Sequence, residues 1–174
     1  WSTYLDINKV SDNDYLVDLG NLSQETTSLI SLRRIAGATY KTDHWDYGVE
    51  AQDNQIVVDG LEEQYSVMPR ININGYYRFD NSLVLDLNNQ VALFDHDNRD
   101  SVTGNRNRLD YGISWDKRWT WGYLRPQLRV KHLAYNLDSG TAPLVNENPS
   151  VTVPVASLDS SIFFERETNF FGGY

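Results

Sequence analysis

The sequence predicts an all-β fold, an antiparallel meander of about eight long strands. Apolar and polar side chains alternate with period two over long stretches of the 174 residues, which is the pattern of a strand with two unlike faces. No stretch keeps apolar residues at helical spacing over three turns. Aromatic residues make up 13% of the chain, which is too many for a disordered protein.

The alternation places the strands one after another along the chain, and segment 44–56 shows it most clearly. Trp45 and Val49 fall on one face of this segment, and Asp46 and Glu50 fall on the other. The same pattern predicts further strands at 1–8, 28–41, 65–79, 82–94, 108–116, 122–137 and 151–166. In segment 65–79 we expect Tyr65, Val67 and Ile71 to share the apolar face.

The connections between these strands alternate in length. Short connections are predicted at 42–43, 80–81, 117–121 and 167–173, and long ones at 9–27, 57–64, 95–107 and 138–150. Strands of about 14 residues span roughly 46 Å, whereas a tilted strand of about 9–11 residues already crosses a bilayer. Long alternating strands with short turns at one end and long loops at the other are typical of outer-membrane β-barrels.

Aromatic residues near the strand ends support the membrane interpretation, because such residues form girdles at the two membrane surfaces. The residues predicted to form a girdle are Tyr40, Trp45, Tyr65, Phe79, Phe94, Trp115, Trp121 and Tyr123. The opposite face of the sheet is polar and would line the lumen of a barrel. Its charged residues include Glu50, Asp86, Asp110, Arg70, Arg78, Arg125, Arg129 and Lys131.

These lumen-facing side chains are too long and too many to pack inside a tight eight-stranded tube. We therefore expect residues 1–174 to be one part of a larger transmembrane outer-membrane barrel, with no internal domain boundary and with further strands elsewhere. The chain starts with Trp1 instead of Met, so a processed start or an excised segment is expected.

Three segments resemble a known family. They are Ile7-Asn8-Lys9-Val10-Ser11-Asp12-Asn13-Asp14-Tyr15 with Asp18-Leu19-Gly20 after it, Tyr65-Ser66-Val67-Met68-Pro69-Arg70-Ile71, and Phe163-Phe164-Glu165-Arg166-Glu167 followed by Gly172-Gly173-Tyr174. In order and spacing they are similar to an inner segment of the C-terminal β-barrel of the LPS-assembly protein family LptD, also called organic solvent tolerance protein.

The resemblance implies a function in the outer membrane of Gram-negative bacteria. The family inserts lipopolysaccharide into the outer leaflet, with the lipoprotein LptE as a plug in the lumen. It receives its substrate from a periplasmic bridge protein through a jelly-roll domain, which would lie before Trp1. The apolar outer wall would contact membrane lipid. The family's lateral gate lies between its first and last strands, so no gate residue is transferred to this chain.

Other function classes lack support in the sequence. The formal net charge is −9, whereas nucleic-acid binders carry a basic balance. The chain has no cysteine and no motif for phosphate-binding loops or nucleophilic catalysis, so we expect neither an enzyme nor a cofactor. We also expect no metal site, because the loop 95–106 lacks the ligands of a calcium-binding loop and the three histidines lack metal-ligand spacing.

One set of residues is a candidate site, the basic row Arg125, Arg129 and Lys131 together with Arg70 and Arg78. These cations either contact a plug protein or a lipid phosphate, or they form cross-strand ion pairs with acids of the same face. Two other functions stay open at this point. One is a porin-like diffusion channel, and the other is a soluble carbohydrate-binding β-sandwich that stacks sugars on Trp45, Trp119 or Trp121.

Overall fold

The computed structural model describes residues 1–11, 31–57, 61, 63–141 and 146–165. The strands in these ranges are β1 Ser2–Ile7, β2 Ser31–Lys41, β3 Trp45–Ile56, β4 Ser66–Arg78, β5 Leu83–Asp95, β6 Thr103–Trp115, β7 Lys117–Trp119, β8 Gly122–Asp138 and β9 Ser150–Ile162. No helix in the described part of the chain is long and apolar enough to cross a membrane.

The strands form one antiparallel sheet in which each strand pairs with its neighbours in the sequence. β7 pairs with β8 in the register that β6 uses, so β6 and β7 are one interrupted strand. Within the described residues, β1 at one edge of the sheet and β9 at the other share no contact. The predicted meander of about eight long strands is confirmed, and within these ranges the sheet is open.

Pro126 explains the interruption between β6 and β7. The Tyr135 amide donates to Pro149 O at 2.9 Å, so the odd-numbered residues of β8 bond to β9 and the even-numbered ones face β6. Proline has no amide hydrogen to donate, and the ladder therefore breaks opposite Pro126. The Asp116 amide donates to Ser82 O at 2.9 Å instead.

β7 lies within the connection predicted at 117–121, and β9 ends at Ile162, four residues before the predicted end at 166. The other described strand ends agree with the prediction within one residue, except in β6. This strand begins at Thr103, five residues before the predicted start at 108. Both faces of residues 103–108 carry polar side chains, so the alternation on which the prediction depended has no contrast there. The predicted turn at 167–173, most of the loop 9–27 and the ends at 28–30 and 166 lie outside the described residues.

The sheet has an inner and an outer face. The inner face carries Arg70, Asp86 and Arg129, and the outer face carries Ile113 and Leu128 on the alternate positions. The strand residues with buried side chains all belong to the inner face, namely Ile35, Val67, Val84, Ala92 and Asp110. We infer that the sheet curves around the inner face, because only a concave side can bury residues in a single layer.

A β-bulge in β4 overturns the predicted position of two residues. Glu50 pairs with Arg70 but Gln52 pairs with Val67, so one extra residue is inserted in β4. An inserted residue reverses which face the following side chains take. Val67 therefore lies on the inner face, opposite Phe94, and Tyr65 lies on that face too, whereas both were expected beside Ile71 on the apolar face.

An aromatic cluster lines the outer face at the end with the short turns. The ring centroids of Trp45 and Tyr47 are 6.1 Å apart and those of Trp45 and Tyr77 are 5.9 Å apart. The Trp45 indole lies over Gly75, where a Cβ would come within 2.8 Å of it. This matches the predicted girdle in part, because three residues assigned to it lie on the inner face instead. They are Tyr65, Phe94 and Tyr123.

The polarity of the two faces reverses along the strands. On the outer face of β8, Leu128 and Val130 lie toward the short turns, while His132 and Asn136 lie toward the long loops. The inner face shows the opposite trend, with charged residues toward the turns and apolar residues toward the loops. Inner apolar or aromatic residues of the loop half are Val67, Phe94, Leu133, Tyr135, Leu137, Val151 and Val153. On β6 and β8 the apolar outer band thus covers only the turn half, whereas on β5 it continues through Val91 and Leu93 toward the loops.

Candidate functional site

The candidate site is a polar network across the inner face. Because side chains of antiparallel neighbours at paired positions lie on one face about 4.5–5.5 Å apart, the register aligns charged residues of several strands into rows. The network has three parts.

The first part centres on Glu50 of β3. Arg70 Nη1 of the neighbouring strand lies 2.5 Å from Glu50 Oε1, and the Tyr4 hydroxyl donates to Glu50 Oε2 at 2.6 Å. The Tyr4 ring reaches Glu50 by crossing Gly37 of β2, where a Cβ would come within 2.4 Å of the ring. Glycine is therefore required at this position to let one side chain connect β1 with β3.

The second part centres on Arg129 of β8. Its Nη1 donates to Asp110 Oδ1 of β6 at 2.6 Å, and its Nη2 lies 3.6 Å from Asp86 Oδ1 of β5. Lys131 Nζ lies 3.9 Å from the other Asp110 oxygen. Asp110 is buried, with 7% of its surface exposed, and a buried carboxylate is costly without such partners. The guanidinium lies flat over Gly112, whose missing side chain leaves room for it.

The third part lies between the first two on the inner face and consists mainly of amides. Gln90 Nε2 donates to Asn72 Oδ1 at 2.9 Å, and Arg106 Nη2 donates to Gln90 Oε1 at 2.7 Å. Asn88 donates to Asp86. Amides and guanidinium groups offer several hydrogen-bond donors in fixed directions, so this part of the wall can bind hydroxyl or phosphate oxygens without rearranging.

The five predicted site residues fall into three groups. Arg129 and Lys131 meet at Asp110, and Arg70 meets Glu50, so the predicted pairing of inner cations with inner acids is present. Arg78 lies apart at the turn end, where its Nη1 is 3.7 Å from Asp116 Oδ2. Of the five predicted site residues, only Arg125 forms no salt bridge with a described residue. The other four are Arg70, Arg78, Arg129 and Lys131.

Arg125 is exposed on the inner face of β8 and pairs in register with Asp159 of β9. The Tyr123 hydroxyl donates to Asp159 Oδ1 at 3.0 Å, so this carboxylate is already engaged. Arg125 is consequently the candidate cation best placed to meet a molecule that comes from outside the sheet.

The loop around His96 is held together by its own hydrogen bonds. His96 Nε2 lies 2.9 Å from Glu63 O, and the Asn98 amide donates to His96 Nδ1 at 3.0 Å. Within the described ranges, no group of three or more His, Asp or Glu side chains is arranged to hold a metal ion. The contacts of this loop are therefore explained by its own folding.

Several residues of the network were not identified from the sequence. Tyr4, Gln90 and Arg106 each connect two strands, and neither charge nor spacing singles them out. The one available signal for Tyr4 is indirect, since a glycine in a strand interior marks a close approach of another group, and Gly37 is such a glycine.

Comparison with known proteins gives a consistent result over the whole chain. A profile of the family described as LPS transport system D matches residues 1–174. The LPS-assembly protein LptD of Saccharophagus degradans is 33% identical over 95% of this chain and 20% of its own length. That of Alcanivorax borkumensis is 33% identical over 99% of this chain and 23% of its own length. The chain thus spans about a fifth of the length of the curated relatives it matches.

Proposed function

The chain belongs to the LptD family, described as LPS transport system D, and from this premise we propose that it is a wall segment of an outer-membrane barrel. In the proposal, the parent protein assembles lipopolysaccharide into the outer leaflet of the outer membrane of a Gram-negative bacterium. The chain does this without covalent catalysis, by providing wall, lumen lining and surface loops.

The observation that carries the proposal is the contrast between the two faces of one curved sheet. The outer face of the turn half is apolar and exposed, with Ile73, Ile113 and Leu128 among its residues. The inner face carries the charged network. A soluble β-sandwich buries its apolar face against a second sheet, but here the described strands form one sheet whose apolar face is uncovered. Acyl chains of a bilayer are the partner that fits such a face.

The mechanism follows from the amphiphilic substrate. Lipopolysaccharide has a sugar and phosphate part that needs a polar path and acyl chains that need an apolar one. The inner face supplies fixed guanidinium and amide donors for the first part, and acyl chains stay with the outer side of the wall. Both open edges of the sheet need a neighbouring strand in lipid, because unpaired backbone groups are costly there, so we propose that further strands of the parent barrel pair with β1 and β9.

Within this proposal Arg125 is the residue that contacts a partner. Arg70, Arg129 and Lys131 form salt bridges with acids of the wall, whereas Arg125 forms no salt bridge with a described residue. Its occupant is an anionic group, either a carboxylate of a lipoprotein plug in the lumen, such as LptE, or a phosphate of lipopolysaccharide. A periplasmic bridge protein would deliver the substrate through a domain outside this chain.

A charge reversal in the full-length protein tests the proposal. The variants are Arg125→Glu and, as a matched control, Lys117→Glu, which places the same change on the outer face at the turn end. Each variant is made the sole copy in cells, and we measure newly surface-exposed lipopolysaccharide and the amount of lipoprotein that copurifies in mild detergent.

We expect Arg125→Glu to lower one or both quantities several-fold and Lys117→Glu to leave them unchanged. If Arg125→Glu matches the wild type in both assays, Arg125 has no contact role. If removal of the parent protein leaves surface lipopolysaccharide at its normal level, the proposed function itself is wrong.

A further inference from the structure

A cavity lies in the loop half of the inner face and borders the polar network at Arg106. It has a volume of about 260 Å³, and its walls include Tyr65, Phe94, Arg106 and Tyr135, with Gly104 at its base. Aromatic residues are concentrated here, whereas the turn half of the inner face carries the salt bridges of Arg129. The cavity therefore combines aromatic side chains with one guanidinium group.

The four side chains come together because of two irregularities in the strands. The bulge in β4 turns Tyr65 to the inner face, where it lies beside Phe94 of β5. Gly104 in β6 has a φ of +138°, and a Cβ at this position would come within 2.2 Å of the Asn136 carbonyl oxygen. A glycine here lets β8 approach closely, which places Tyr135 at the rim.

Arg106 is held in place by two contacts, and its guanidinium can still donate a hydrogen bond. Its guanidinium lies over the Phe94 ring at 5.1 Å from the centroid, and its Nη2 donates to Gln90 Oε1 at 2.7 Å. The Arg106 guanidinium lines the cavity. Its N–H groups outnumber its hydrogen bond to Gln90, so an acceptor that enters the cavity can bind to it.

We propose that this cavity binds a hexose ring of a glycan. A sugar ring has an apolar C–H face that packs on aromatic side chains and hydroxyl oxygens that accept from a guanidinium, which is the combination that the cavity presents. An acyl chain would fill the aromatic part but leave Arg106 unsatisfied. Pockets for drug-sized ligands occupy about 300–1,000 Å³, and this cavity of about 260 Å³ lies just below that range, so we expect it to hold a single ring.

The site shares Arg106 with the amide part of the polar network, lies apart from the salt bridges of Arg129, and rests on the proposed function only for the origin of the glycan. It lies toward the long loops, at the end of the wall that in the proposed orientation faces the cell exterior. The sugar part of lipopolysaccharide would meet it after passing the charged half of the wall. The cavity would thus retain the saccharide at the outer end of the path.

Binding of a defined oligosaccharide tests the inference. The full-length protein, purified in mild detergent with its natural partners, is titrated with the core oligosaccharide released from lipopolysaccharide, and Kd is measured by calorimetry or saturation-transfer NMR. The variants are Tyr135→Ala and Arg106→Lys, and the matched control is Tyr111→Ala, which removes an exposed tyrosine from the outer face.

We expect wild type and Tyr111→Ala to bind alike, and Tyr135→Ala to raise Kd about tenfold because a stacking surface is lost. Arg106→Lys keeps the positive charge but replaces the planar guanidinium with a single ammonium group, and we expect a similar loss of affinity. The inference is wrong if the wild type does not bind, or if Tyr135→Ala and Tyr111→Ala bind equally well.

The outcome also separates this site from the proposed function. A wild-type protein that assembles lipopolysaccharide in cells but does not bind the oligosaccharide refutes the cavity site and leaves the proposed function intact. A protein that binds the oligosaccharide through Tyr135, while its depletion leaves surface lipopolysaccharide unchanged, supports the cavity site and refutes the proposed function.

Discussion

Removal of the Arg129 guanidinium should weaken the pairing of β6 with β8. Arg129 Nη1 is 2.6 Å from Asp110 Oδ1, and the two side chains are 22% and 10% exposed. A hydrogen bond to a charged group contributes about 1.5–3 kcal/mol when it is shielded from water. Because Lys131 stays 3.9 Å from the same carboxylate, we expect Arg129→Ala to cost about 2 kcal/mol, which is about a 30-fold change in the local opening equilibrium.

The measurement is hydrogen–deuterium exchange of the full-length protein in detergent, followed in peptides that cover β6 and β8. The matched control is Arg125→Ala, which removes the same side chain from the same face of the same strand, at a position without a salt bridge among the described residues. Its expected effect is below about 0.5 kcal/mol, as for most surface substitutions. The reasoning is refuted if both variants exchange at the same rate in these peptides, or if Arg129→Ala exchanges as slowly as the wild type.

Two further predictions concern the glycine contacts and the position of the membrane. Gly37→Ala should destabilise the β1–β2 pairing by about 1–3 kcal/mol, since a Cβ would overlap the Tyr4 ring. Gly48→Ala should change stability little, because the nearest atom to its Cβ would be 3.8 Å away. Stability is measured by denaturant unfolding of the full-length variants, and equal stability of the two would contradict the Tyr4 contact. On the outer face, Asn107→Cys should react with a membrane-impermeant maleimide on intact cells and Ile113→Cys should not, because the apolar band ends between them; equal labelling would place the membrane boundary elsewhere.

The strands could be predicted from the sequence where their two faces differ in polarity. β3 and β5 alternate cleanly, and their predicted ends agree with the structure within one residue. The first part of β6 was not predicted, because polar residues occupy both of its faces and the alternation disappears.

The face of a residue could not be predicted through a bulge. One inserted residue in β4 transfers Tyr65 and Val67 to the inner face, and no local pattern marks the insertion except Pro69. The ion pairs are a different case. Which inner cation meets which acid depends on the register between strands. Arg129, which meets Asp110, and Arg125, which forms no salt bridge with a described residue, therefore become distinguishable only when the pairing is known.

The most direct test of the account is photo-crosslinking from the two faces of β8 in living cells. A photoreactive amino acid is placed at Arg125 on the inner face and, in a second variant, at Leu128 on the outer face of the full-length protein. We expect adducts with lipopolysaccharide or a lumen lipoprotein from position 125, and neither adduct from position 128, which faces membrane lipid. The same adducts from both positions, or none from position 125, would contradict the claim that this sheet is the wall of a lipopolysaccharide-assembling barrel.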